Sequence, residues 1–167
     1  MLVVIRSMRD LRFGELMRVY EQSNLEQGRQ KWPDEPEAQQ MAQAEQDIYG
    51  YLRQCLFTLP GAAVCVWQVE GQYVSALRLE PWKNGMLLTG LETAMDQRGK
   101  GYANALIRAV QKQLAQQGKV RLYSHIRKVN AASIHVHEKC GFRLFRDHAV
   151  FLDGSVDRKS VTYIYEK

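Results

Sequence analysis

Residues 96–106 read Asp-Gln-Arg-Gly-Lys-Gly-Tyr-Ala-Asn-Ala-Leu, which sets Gly99, Gly101 and Ala103 between an apolar strand-like run and an amphipathic helix. Glycines here let bare backbone N–H groups approach a ligand. The helix that follows adds unpaired N–H donors and the positive end of its dipole, so the loop is suited to an anion such as a phosphate. Just upstream, in Gly90-Leu-Glu-Thr-Ala94, alternation puts Glu92 on the same strand face as Gly90 and Ala94. Small neighbours leave room for a substrate beside a carboxylate that can take a proton. Downstream lies His137, whose imidazole titrates near neutral pH and can give or take one. His135 and His137 are two apart on a helix and point about 200° from each other. They do not share a metal easily, and no metal site is expected.

Familiar phosphate loops do not account for the glycines. A P-loop requires Ser or Thr after its lysine, and Lys100 is followed by Gly101. A dinucleotide fingerprint requires a third small residue and an acid about 20 residues on. Here that position is Asn104, and no acid occurs before Glu138. The catalytic-loop and metal-binding motifs of a kinase are missing too. Residues 97–137 contain no Asp or Glu but carry Arg98, Lys100, Arg108, Lys112, Lys119, Arg121, Arg127 and Lys128. This segment is therefore +8 in a chain of net +5. It is either a solvated basic face or the binding side for a polyanion. Nucleic acid is the weaker polyanion, since no RNP-like motif or basic helix register accompanies the charge.

Arg98-x-x-Gly101-x-Ala103 resembles the R/Q-x-x-G-x-G/A signature of the GNAT superfamily, the acyl-CoA-dependent N-acyltransferases. Asn130-Ala-Ala-Ser-Ile-His-Val-His-Glu-Lys-Cys-Gly-Phe142 is similar to that family's N-x-x-(A/S)…Y-x-K-x-G-F segment, with His137 at the usual tyrosine. The resemblance implies that the amides of Gly99, Lys100, Gly101, Tyr102 and Ala103 cradle the CoA pyrophosphate behind Arg98. It further implies cofactor contacts from Thr93, Ala94 and Met95 at the strand end, and from Asn130 and Ser133. The strands on either side of the loop would splay apart to admit the pantetheine arm. The implied function is transfer of an acetyl group from acetyl-CoA to a primary amine, directly, in a ternary complex.

Amide formation from a thioester needs an uncharged amine, support for an oxyanion and a proton for the departing thiolate. A backbone N–H of the strand before the loop is the implied oxyanion contact. Glu92 is the candidate base; the alternative is an ion-paired sheet residue, with Arg78 or Arg121 as partner. His137 is the candidate acid; the alternative is a packing residue, the acid role passing to Tyr123, Tyr102 or water. Cys55, Cys65 and Cys140 form no C-x-x-C pair and read as reduced, mostly buried thiols of a cytoplasmic protein. None has the surroundings of an acylated nucleophile. The acceptor pocket is implied among the first two helices, their loop and the final hairpin. Trp32, Trp67, Trp82, Tyr49 and Tyr51 lie in or near those segments, and Glu26, Asp34, Glu35 and Glu37 could attract a cationic amine. A catalytically weak CoA-binding regulatory or assembly module is the alternative reading of the chain. A homodimer is common in the family it resembles.

The elements that must position these groups follow from hydrophobic spacing. Residues 2–6 form a strand. Ser7-x-x-Asp10 reads as a capping box opening a helix to about Asn24, and residues 27–33 form a polar loop. Asp34-x-x-Glu37 with Pro36 starts a second helix with Met41, Ala44, Ile48, Leu52 and Cys55 on its inner stripe. Strands follow over 63–69, 73–79 and 86–95, with loops at 70–71 and 81–85. A helix over 102–117, a strand over 120–126, a helix over 131–139 and a hairpin turning at Asp153-Gly154 complete the chain. A strand–helix–strand unit over 86–126 implies a right-handed parallel crossover. With 46% hydrophobic and 25% charged residues, the 167-residue chain reads as one globular domain, residues 1–167. The expected class is α/β (α+β), a mixed, mostly antiparallel central sheet flanked by helices.

Overall fold

The computed structural model describes residues 1–118 and 120–167. Strand β1 (Leu2–Ile5) is followed by helices α1 (Phe13–Val19), α2 (Glu21–Lys31) and α3 (Glu37–Gln54). Strands β2 (Ala63–Val69), β3 (Gln72–Trp82) and β4 (Gly85–Thr93) then lead into α4 (Tyr102–Ala115), β5 (Arg121–Arg127) and α5 (Ala131–Lys139). Short strands β6 (Arg143–Arg146), β7 (Ala149–Val150) and β8 (Val156–Asp157) precede β9 (Ser160–Glu166). Seven strands make one mixed sheet in the order β1-β2-β3-β4-β5-β9-β6, and β7 pairs with β8 alone. Among the described residues only β4 and β5 run parallel, as the crossover over residues 86–126 requires.

Side-chain alternation divides the core. Ala63 and Cys65 of β2, Leu77 and Leu79 of β3, and Leu122 and Ile126 of β5 face Leu106, Ile107 and Val110 of α4. Val64 and Val66, one residue out of phase, face Leu16, Met17 and Leu52 of α1 and α3. Farther along that second face Trp82, Leu87, Tyr123 and Ile164 form a separate cluster. The sheet is thus covered by α4 on one side and by α1–α3 on the other.

Several expected boundaries move. The first helix is two helices meeting at Tyr20, which closes α1 and opens α2 with φ −91° and ψ 11°. Ser7 donates to Asp10 in a turn ahead of the helix instead of capping it, and Arg12 holds the N-cap position. Residues 27–31, expected in a loop, stay helical: Gln, Arg and Lys are good helix formers, and Gly28 lets the helix pack closely on Gln40 of α3. The loop expected at 81–85 shrinks to the turn Lys83-Asn84, and β3 runs through Trp82. Cys55 is exposed instead of joining the α3 stripe, while Cys65 and Cys140 are buried.

Candidate active site

Where β4 and β5 meet, the ladder has three pairs, Met86↔Leu122, Leu87↔Tyr123 and Leu88↔Ser124, and goes no farther. The cause lies in β4. Between Arg78↔Thr89 and Ala76↔Glu92 the register skips, so that Leu77 faces both Gly90 and Leu91. Gly90 has φ +58°, the left-handed conformation of a glycine bulge. The bulge bends β4 away from β5 and leaves residues 89–93 without a strand partner on that side. Beyond it opens a cavity of about 950 Å³, walled by β4, α2, the glycine loop and the starts of α4 and α5.

The loop has the backbone shape of an anion cradle. Gly99 (φ +75°) and Gly101 (φ +80°) are left-handed, and Gly101 is the N-cap residue of α4. A Cβ at either glycine would meet nothing within 4 Å, so open space lies over the backbone. The first turn of α4 contains no acidic side chain, and its leading N–H groups have no intrahelical partner. Gly99, Gly101, Tyr102 and Ala103 all line the cavity, with Thr93, Arg98, Asn130 and Ser133. Arg98 Nε donates to the Thr93 carbonyl at 3.2 Å.

Three of the expected cofactor contacts lie off the cavity. Ala94 is buried against the α1–α3 side, and its N–H donates to the Val74 carbonyl. Met95 points to solvent, 58% exposed. Lys100 is exposed and donates to Gln97. Asn130 has a local task as well: its side-chain oxygen accepts from the Ser133 N–H at 3.0 Å and caps α5. Among the described residues of the basic run, Arg98 alone lines the cavity, and Lys139 joins it from just past the run. Arg108 donates to the Lys139 carbonyl and Arg121 pairs with Glu166. Lys119 lies outside the described residues.

Glu92 lines the cavity with its side chain 15% exposed. Ser23 of α2 donates to Glu92 Oε2 at 2.6 Å, and Arg98 Nη2 lies 3.7 Å from Oε1. Burial pushes the carboxyl above its usual range, and the Ser23 bond and Arg98 charge only partly offset this. Neither Arg78 nor Arg121 is its ion-pair partner, although Arg78 also lines the cavity. The contact from Ser23 was hidden in the sequence, because it comes from 69 residues away.

His137 does not meet the acid role expected from its position. It is 1% exposed, does not line the cavity, and packs edge-on against Phe142 at 5.0 Å. Its Nδ1 lies 2.8 Å from the Ser133 carbonyl, which can only accept, so Nδ1 carries the proton and Nε2 is a bare, unpartnered acceptor. Burial holds the ring's pKa below the ordinary histidine value. A neutral ring with this tautomer has no proton to give at Nε2. Among the alternatives, Tyr123 is buried on the other cluster and donates to Asn84, whereas Tyr102 lines the cavity. Trp32, Trp67, Trp82, Tyr49 and Tyr51 lie off the cavity wall, whereas Glu26 is on it.

The sequence matches the acetyltransferase (GNAT) family over residues 15–142. No curated protein matches it. Its fold is that of solved acetyltransferases of low sequence identity. One is the PaiA N-acetyltransferase of Thermoplasma acidophilum in complex with coenzyme A: TM-score 0.66, 13% identity, 100% of this chain and 99% of that one covered. Another is the ribosomal-protein-S18-alanine N-acetyltransferase of Escherichia coli: TM-score 0.64, 15% identity, 99% and 94% covered. A third is an aminoglycoside 6'-acetyltransferase type Ii: TM-score 0.63, 13% identity, 98% and 96% covered.

Proposed function

The chain belongs to the acetyltransferase (GNAT) family, and from that premise we propose that it carries an acetyl group from acetyl-CoA to a primary amine by direct transfer with both substrates bound. The observation that carries this reading is one cavity that joins an amide cradle at the start of α4 to the desolvated carboxylate of Glu92. The cradle fits a pyrophosphate, since space is open over both glycines and no acid stands in the first turn. Gly99, Gly101, Tyr102 and Ala103 would hold it, with Arg98 and Lys139 supplying positive charge. The unpaired edge of β4 offers backbone groups to the pantetheine amides. Acetyl-CoA, when bound, supplies the activated acyl thioester.

Glu92 takes the proton that an ammonium must lose to become a nucleophile. Its raised pKa brings it nearer neutrality, where a base both stays ionised and pulls on a proton. Ser23 holds Oε2, and Oε1, with Arg98 3.7 Å away, is the oxygen that faces the amine. Tyr102, which lines the cavity, returns a proton to the departing thiolate. A covalent relay is disfavoured because none of the three cysteines lines the cavity, and burial pushes the Cys65 thiol up to about 12. The reduced thiols agree with a cytoplasmic enzyme. No helix among the described residues is long and apolar enough to cross a membrane.

Thiol release from acetyl-CoA across a panel of amines tests the proposal. Glu92→Gln should lower kcat/KM about 10²-fold or more while acetyl-CoA affinity stays as in the wild type. The raised pKa places the acidic fall in wild-type activity at higher pH than an ordinary carboxylate would, and the Gln variant should lack that fall. A Gln variant with the wild-type rate and pH profile removes Glu92 as the base. Cofactor binding with no thiol release for any amine would favour the CoA-binding regulatory module instead.

A further inference from the structure

Arg78 is a cation in the cavity wall with no counter-charge. Its guanidinium lies over the rings of Tyr51 (5.3 Å) and Tyr20 (5.9 Å), and its Nε is buried with no hydrogen-bond partner. Among the described residues no carboxylate lies within ion-pair distance of it. Glu80, its neighbour on the same strand face, already accepts from Tyr51 and Thr89. The bulge in β4 makes room for the guanidinium: a Cβ at Gly90 would fall 2.7 Å from Arg78 Nη2. Arg78 is half-buried, and shutting its Nε off from water without a partner carries a cost that stacking on two tyrosines offsets only in part. The group is held ready for an anion that enters the cavity.

Ala76 sits opposite Glu92 in the register and is two residues from Arg78 on β3. Arg78 and Glu92 therefore leave the same sheet face, their strand positions about 7 Å apart along β3. That face carries α2, whose Ser23, Glu26 and Gln27 complete the wall away from the glycine loop. Arg78 is the one cation among them. A phosphate dianion needs more positive charge than one guanidinium can offer in a wall that also holds Glu26 and Glu92, whereas a single carboxylate matches it with two parallel hydrogen bonds. The two positions are also one strand apart, about 5 Å across the sheet, and two hydrogen bonds of about 2.9 Å with a linker of one or a few carbons make a span of the same order.

Resting on the acetyltransferase reading of this cavity, we propose that the acceptor is an amino acid, its amine at Glu92 and its carboxylate on Arg78. The side chain of the acceptor then lies towards Gln22, Gln27 and Ile48, which also line the cavity.

The experiment has two arms. The first measures kcat/KM for the common L-amino acids, each against its own carboxamide, with O-phosphoethanolamine as a dianionic control. At least one acid should exceed its carboxamide about tenfold or more. Arg78→Met should bring that ratio near one, mostly through KM, and Arg78→Lys should keep part of it. Turnover that favours the carboxamides or O-phosphoethanolamine, or a ratio unmoved in Arg78→Met, overturns the proposal and leaves the transferase intact. The second arm titrates N-acetylated amino acids and their carboxamides into the CoA-loaded protein by calorimetry. Carboxylate-selective binding, lost in Arg78→Met, upholds the site even where no amine releases thiol, and in that case the transfer reading alone falls. Equal binding of acid and carboxamide to the wild type overturns the site without reference to any variant.

Discussion

His137 shows how one atom's surroundings decide a residue's role. The folded protein keeps its ring neutral by burial, with Nδ1–H donating to the Ser133 carbonyl. The unfolded chain takes up a proton below about pH 6.5. Because the folded pKa lies lower, this residue's stabilisation is complete above that pH and is lost as pH falls towards the folded value. His137→Phe should remove that loss. It should also remove the unpartnered Nε2, whose burial costs about 1–3 kcal/mol, against which the slightly larger ring adds some strain. Melting temperatures at pH 7.5 and 5.5 should therefore differ less for the variant than for the wild type. Its kcat/KM should stay within about twofold, because the ring does not reach the cavity. A parallel fall in both proteins would mean that His137 is not held neutral. A hundredfold loss of turnover would restore it to the chemistry. The position was legible in the sequence through the spacing to Gly141 and Phe142. Its orientation was not, since that depends on how the chain leaves α5 and folds Phe142 back against the ring.

At the scale of elements, the loop and α4 are one device. Gly101 sits at φ +80° as the N-cap residue, so a side chain there is strained and would also project into the open space the ligand needs. Gly101→Asp adds a negative charge at the positive end of the helix. That charge stabilises the helix while competing with the anion for the same amides. Calorimetry should find acetyl-CoA affinity reduced about a hundredfold or more, with melting temperature changed little. Arg98→Glu should weaken binding as well, by reversing a charge on the cavity wall beside Glu92. Unchanged affinity in both variants would remove the cradle. The device was readable because its determinants are local: two glycines, an arginine and a helix within about ten residues. The opposite wall was not readable. Ser23 reaches Glu92, and Tyr20 reaches the Gly90 carbonyl, only because the chain breaks at Tyr20 and starts α2 afresh beside the bulge of β4. One long helix to Asn24 hides that break, and with it the acceptor side of the site.

Across the whole molecule, the parallel ladder between β4 and β5 is short, three pairs against seven for β5 and β9. On one side of it stand β1–β4 with α1–α3, and on the other β5, β9 and β6. Leu106, Ile107 and Val110 of α4 span the seam from one face. The bulge that opens the cavity therefore also leaves a line of weak pairing across the sheet, and opening along such lines is where exchange and ligand linkage concentrate. Amides of residues 89–93 should exchange with deuterium faster than those of the long β2–β3 ladder. Acetyl-CoA, bound between the β4 edge and α4, should slow them. At a hundred times its Kd the ligand contributes about 2.7 kcal/mol, which for a chain of this length raises Tm by about 5–11 °C. In Arg98→Glu both effects should require proportionately more ligand. Protection that spreads evenly over all strands would mean that the ligand stabilises the protein as one unit. No Tm shift at saturating acetyl-CoA would mean that the cavity does not hold it. Slowed exchange confined to β4, α4 and the β5 edge joins the cradle, the bulge and the short ladder into one binding mechanism, in which the gap left for the ligand is the gap it closes.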